Sequence, residues 1–131
     1  MRRDFNLPSS DEAFLNTLGR PWETVIDGGA RWVLIHDRVP PAGYTVQKVS
    51  EAHRIDPGYP DTQLDMVYFS PALQRVDGRT IGALSNQMIS GGSWQRWSRH
   101  RESSHPWRPG IDDLSSHMFL VDHWLEREVL Q

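Results

Sequence analysis

The 131-residue sequence contains no cysteine, which excludes a disulfide framework, a thiolate zinc site, an iron–sulfur cluster and a cysteine nucleophile. Lysine is nearly absent too. Of the 14 basic residues only Lys48 is not arginine, which suits planar, bidentate or stacked contacts or reflects codon bias in a GC-rich genome. Long apolar runs are missing. Trp32–Ile35 is far short of the ~20 residues of a membrane span, and Met1-Arg2-Arg3-Asp4 lacks the apolar stretch of a secretory leader, so the expected compartment is the cytoplasm, with no membrane partner. No charge of one sign dominates. With 14 basic against 17 acidic residues and a net charge of −3, binding nucleic acid over the whole surface is excluded and basic recognition must be local.

What is present describes one domain over residues 1–131, its core about residues 10–127. At this length a fold buries roughly two-thirds of its unfolded surface, so a single core holds it without staples. Ser9-Ser10-Asp11-Glu12 ahead of Phe14, Leu15 and Leu18, with Gly19 and Pro21 behind, predicts a short helix with a serine cap and an acidic first turn. Strands are expected at Trp22–Ile26 and Ala30–Arg38 about an Asp27-Gly28-Gly29 turn, then at Thr45–Ile55 and Leu64–Phe69. Asp112-Asp113 opens a C-terminal helix whose apolar face is read as Ile111, Leu114, Met118, Val121 and Leu125, widened by Phe119 and Trp124. The expected class is α+β: a helix, a four-strand antiparallel meander, an irregular segment after Ser70-Pro71, and a final helix.

That order, with the helix entered through a Trp-x-Pro turn, resembles the ubiquitin-conjugating enzyme fold. Gly58-Tyr59-Pro60 stands where that family has a Tyr-Pro motif between strands three and four, although Gln63-Leu64 replaces the Pro-Pro that follows. Ser70-Pro71 matches the Pro of the family's His-Pro-Asn, without the His and with Ala72 for the Asn. Trp107-Arg108-Pro109-Gly110-Ile111 is similar to the family's Trp-Ser-Pro-Ala-Leu lead-in. Tyr59, Pro60, Pro71 and Pro109 are therefore the structural motif residues. The thioester-forming Cys would fall near Gly82, within Asp77-Gly78-Arg79-Thr80-Ile81-Gly82. The set most resembles a prokaryotic, cysteine-free branch of the superfamily. This implies work in a bacterial ubiquitin-like modification pathway beside an adenylating activating enzyme, a ubiquitin-like protein and JAB-type peptidases.

Without a thiolate, an acyl carrier needs a hydroxyl with a base, or an imidazole. Thr80, Ser85, Ser90, Ser93 and Ser98 are the candidate hydroxyls, His100 and His105 the bases, and Asp77 the orienting carboxylate. The catalytic set to test is His100, Asp77 and Thr80; none sits in a nucleophile-elbow motif. Residues 94–108 hold three Trp, four Arg, two His and one acid, Glu102. Trp94, Arg96, Trp97, Arg99 and Trp107 read as a docking surface, since Trp and Arg carry interface energy. Two other readings are open: a single-strand RNA patch, disfavoured by the acidic remainder, and a short helix packing Trp94 and Trp97 on the sheet. His117 and His123, six apart, do not have the spacing of paired ligands, and no metal site or cofactor is expected. The Asp56, Asp61 and Asp65 group near Tyr59 reads as turn chemistry.

Overall fold

Positive-φ residues set the turns around which this chain is organised. In the computed structural model, which describes residues 1–131, Gly28 and Gly29 both have positive φ, and Asp27 pairs with Ala30 across them. This two-residue turn suits the right-handed twist of the hairpin. The elements are α1 (Ser9–Thr17), β1 (Trp22–Asp27), β2 (Ala30–Arg38), β3 (Val49–Ile55), β4 (Val67–Ser70), β5 (Leu84–Ile89), β6 (Gly92–Trp97) and α2 (Leu114–Leu130). The α+β architecture is consistent with a ubiquitin-conjugating-enzyme-like fold.

The four expected strands form the meander, the third and fourth starting later than expected. The sheet goes further: it has six strands in the order β1-β2-β3-β4-β6-β5, every neighbouring pair antiparallel. The segment expected to be irregular thus supplies a hairpin that pairs its second strand with β4. Its turn is Ser90-Gly91, both at positive φ, and it reaches back across the molecule, Ser90 N–H donating to Asp27 Oδ2 at 2.9 Å.

Side chains of successive strand residues alternate between two cores. One face packs Val25, Trp32, Leu34, Ala52, Tyr68, Ile89 and Trp94 together as the sheet curls on itself, with Trp32 edge-on to Tyr68 at 4.9 Å. The opposite face meets the helices in two clusters, one around Leu15, Val33, Ile35, Leu114 and Met118, the other around Val67, Phe69, Trp97, Val121 and Leu125. Trp94 and Trp97 are therefore not on one helical face. Three apart on a strand, they point to opposite cores.

Asp113 caps α2, its carboxylate accepting Ser116 N–H at 3.0 Å while Ser116 Oγ accepts Asp113 N–H at 3.0 Å. The acids expected in the first turn thus precede it. With the helix starting at Leu114, its buried face is Leu114, His117, Met118, Val121, Trp124 and Leu125, while Ile111 and Phe119 are exposed. At the N-terminus of α1, Pro8 occupies the cap position without a side-chain hydrogen bond. Gly43, at φ +114°, lets the β2–β3 loop approach α2; a Cβ there would sit 2.9 Å from Val129 Cβ.

Candidate functional site

Two of the motif segments of the sequence, Tyr59-Pro60 and the one at Trp107, meet at the start of α2. Trp107 Nε1–H donates to Pro60 O at 2.9 Å, and the Tyr59 and Trp107 rings lie 6.2 Å apart. The Tyr59 hydroxyl donates to Asp11, which also accepts the N–H of Leu114 at 3.3 Å. Asp11 is buried, and its desolvation raises its carboxyl above the usual range even against these hydrogen bonds. A residue expected to serve the α1 dipole instead ties α1 to the Tyr59 turn and the start of α2. The Ser70-Pro71 turn leads into Leu73, whose main chain is clamped by the side-chain amide of Gln95 at 2.9 and 3.1 Å.

Beside this region lies a cleft of about 1330 Å³ between residues 75–83, residues 98–108 and the exposed side of α2. Phe119, Leu120 and Trp124 form its apolar wall; Arg75, Arg79, Arg99, Arg101, Arg108 and Arg127 supply six guanidiniums against the carboxylates of Glu102, Asp112 and Glu128. Glu128 receives Arg75 and Arg99, each at 3.0 Å. Asp112 faces Arg101 at 3.9 Å and Arg108 at 3.6 Å. Burial opposes ionisation of Asp112, but hydrogen bonds from Arg108 N–H and Ser116 and these guanidinium charges hold its carboxyl below the usual range. The cleft carries more positive than negative charge, so an anionic group is favoured there.

The expected catalytic set does not assemble as expected. His100 lines the cleft, but its Nδ1 lies 2.9 Å from Asp65 Oδ1. Asp77 is held elsewhere, accepting Arg75 Nε–H at 3.0 Å, Arg75 NH2 at 2.7 Å and Arg79 N–H at 3.0 Å. Those hydrogen bonds, led by Arg75, keep its carboxyl below the usual range, and it is not the orienter of His100. Thr80, Ser98 and Gly82 line the same cleft, with Gly82 O accepting Arg99 at 3.0 Å, but neither hydroxyl is hydrogen-bonded to His100. Ser85, Ser90 and Ser93 lie on the hairpin, where Ser85 Oγ accepts Arg96 Nε–H at 2.7 Å and Ser93 bonds to Asn86. His105 reaches the cleft with Nδ1 at 3.0 Å from Ser104 Oγ.

The Trp/Arg stretch divides in the same way. Trp97 is fully buried and Trp94 nearly so, so both are core side chains rather than docking residues. Arg96 is half-buried near the end of β6, paired between β4 and β5. Arg99 stands in the cleft with its guanidinium 4.9 Å from the Trp97 ring, and Arg101 covers Trp107 at 4.9 Å.

The sequence reading missed Asp65 as a partner, the α2 wall of the cleft, and a buried polar seam under α2. Glu51 and His53, two apart on β3, share the helix-facing side, and His53 Nε2–H donates to Glu51 Oε2 at 2.5 Å. Arg38 lies 3.0 Å from Glu51 and pairs with Asp122. His117 from α2 closes the seam, Nε2–H donating to Met66 O at 2.9 Å, its ring 5.1 Å from that of His53. The Nδ1 atoms of His53 and His117 have no partner. A polar pair at i, i+2 inside a buried strand was the available signal.

A family model described as prokaryotic E2 family E matches residues 7–128 of the chain. The chain belongs to this family. The match covers the meander, the hairpin, the cleft segments and nearly all of α2, so every residue lining the cleft except Gln131 falls within it. Family membership associates the chain with ubiquitin-like conjugation. No curated protein and no solved structure shows significant similarity to it. No group of three or more His, Asp or Glu side chains is placed to hold a metal ion, and no helix is long and apolar enough to cross a membrane.

Proposed function

We propose that this chain is a cysteine-free E2-like component of a bacterial ubiquitin-like modification pathway that works by docking. In this reading its cleft receives the ubiquitin-like modifier, or the adenylating enzyme that carries it, and holds the modifier's C-terminal carboxylate without a covalent bond; a JAB-type peptidase is a further partner. The observation that carries the reading is the composition of the cleft. Gly82 lines it where the family's thiol is expected, no hydroxyl is paired with His100, and guanidiniums outnumber carboxylates. That set binds an anionic chain end but gives a weak nucleophile no base. Affinity measurements on the purified chain with its cognate modifier and activating enzyme test it. Arg79→Glu with Arg127→Glu, both on exposed residues, reduces affinity about tenfold or more at an unchanged melting temperature; unchanged affinity overturns the docking reading.

A second reading is favoured by one specific contact. In the tautomer that donates Nδ1–H to Asp65, Nε2 of His100 is the nitrogen with a lone pair to offer. It would attack the modifier's activated carboxyl carbon and expel the activating enzyme's leaving group, giving an acyl-imidazole. Trapping of that species separates the two readings.

A further inference from the structure

The two edges of the sheet are treated differently. At β1 the chain covers itself: Thr24 N–H donates to Arg2 O at 3.0 Å, Asp4 N–H donates to Thr24 O at 2.9 Å, and Ile26 N–H donates to the Asp4 carboxylate at 2.9 Å. At β5 nothing is added. Ala83 O accepts Ser98 N–H at 3.0 Å, so the antiparallel alternation turns Ser85, Gln87 and Ile89 toward β6, and Leu84, Asn86 and Met88 present their main-chain groups outward. One of these, Met88 O, accepts only the side-chain amide of Gln87, at 3.0 Å. The strand reads Leu-Ser-Asn-Gln-Met-Ile, with neither the charges nor the proline by which proteins usually protect an edge. Leu84 and Met88 share one face and are 36% and 53% exposed.

We infer that the free edge of β5 is a strand-addition site for the extended C-terminal tail of the ubiquitin-like partner, laid antiparallel to β5 so that its carboxylate end enters the cationic cleft. The direction follows from continuity. Gly82 and Ala83, which immediately precede β5, line the cleft, so a strand running from Ile89 toward Leu84 delivers its C-terminus to the guanidiniums. Main-chain hydrogen bonds supply affinity, Leu84 and Met88 flank the added strand, and Arg99, fixed at Gly82 O, stands where the chain end arrives. A second copy of this chain could pair with the same edge, but a β5–β5 pairing leaves the positive charge of the cleft unanswered. The inference rests on the docking reading and adds to it the class of ligand and its polarity.

The probe is a synthetic six-residue peptide of the modifier's C-terminus, matching the length of β5, as free carboxylate and as amide. The carboxylate form slows hydrogen exchange at the amides of Leu84, Asn86 and Met88, and amidation weakens binding about tenfold. Asn86→Pro removes an outward N–H and leaves the β5–β6 ladder intact; it lowers peptide affinity about tenfold, while Asn86→Ala, which keeps that N–H, does not. If the whole modifier binds and responds to the arginine variants while the peptide leaves these three amides unprotected, strand addition is overturned and docking stands. Protection that appears without peptide and rises with protein concentration overturns it in favour of self-pairing. Failure of the whole modifier to bind overturns both.

Discussion

His100 presents Nδ1 to the carboxylate of Asp65 at 2.9 and 3.1 Å, although 35 residues separate them. Sheet register is the cause. Val67 at the start of β4 pairs with Trp97 at the end of β6, and Met66 N–H extends the ladder to Arg99 O at 3.2 Å, so the residues just outside the two strands meet at the cleft. The pair is largely exposed, the His100 side chain at 61%. Asp65→Asn and His100→Ala each change unfolding free energy by about 1 kcal/mol or less; a larger loss in chemical denaturation would make the pair a structural element.

Trp94 and Trp97 are expected to behave as core. Trp97 touches Phe69 edge-on at 5.5 Å and Tyr44 at 6.3 Å, and its truncation to Ala costs about 3–5 kcal/mol. Trp94→Ala is also strongly destabilising, whereas Arg99→Ala weakens partner binding more than it lowers stability. Equal melting temperatures for wild type and Trp97→Ala would contradict the burial described above.

Tyr59→Phe removes the hydroxyl donor from buried Asp11 and leaves that carboxylate short of one partner, at about 1–3 kcal/mol. Tyr59→Ala adds the loss of the ring's packing against Trp107 and costs a few kcal/mol in all. Denaturant midpoints in the order wild type, Phe, Ala are the expected result; coincident midpoints would show that the Asp11 contact contributes nothing.

Acid sensitivity is built into the seam under α2. Desolvation, with the charge of His53 close by, pushes His117 down to about 3 from its ordinary 6.5. The unfolded chain therefore binds a proton that the folded chain does not, so this stability is present above about pH 6.5 and is lost as pH falls toward 3. Burial opposes ionisation of Glu51 too, but the hydrogen bond from His53 and the charges of His53 and Arg38 outweigh it and hold the carboxyl below its ordinary 4.5. Its contribution is present above about pH 4.5 and fades as pH falls below that, in the same direction. The unfolding free energy, and with it the melting temperature, falls between about pH 7 and about pH 5, the free-energy slope approaching roughly 1.4 kcal/mol per pH unit for one proton once the pH is below the imidazole range. His117→Gln, which keeps an N–H for Met66 O, flattens that slope; parallel profiles would remove His117 from the account.

Much of the fold was legible because local chemistry agreed with tertiary structure: the glycine turn at residues 28–29, the apolar run Trp32–Ile35 in β2 and the period of α2 all point one way. The β5–β6 hairpin was not. Leu84–Met88 is an exposed edge with no apolar alternation, and Trp94 with Trp97 imitates a helical repeat when each in fact fills a different core. In the site, the resemblance pointed only to the Asp77–Gly82 segment, while Thr80 and His100 stood out for their chemistry and Arg99 for its Trp- and Arg-rich setting; Thr80, Gly82, Arg99 and His100 all line the cleft. Asp65 did not stand out, because only the β4–β6 register brings it to His100, and Asp77 looked available because nothing in the sequence announces its clamp by Arg75.

The most direct test of the docking account is incubation of the chain with its modifier, activating enzyme and ATP, followed by denaturing separation and mass mapping. The account predicts a reversible complex and no covalent adduct on this chain at any pH. An adduct that survives thiol reductant, is cleaved by hydroxylamine, maps to His100 and disappears in His100→Ala would contradict it and establish the acyl-imidazole route.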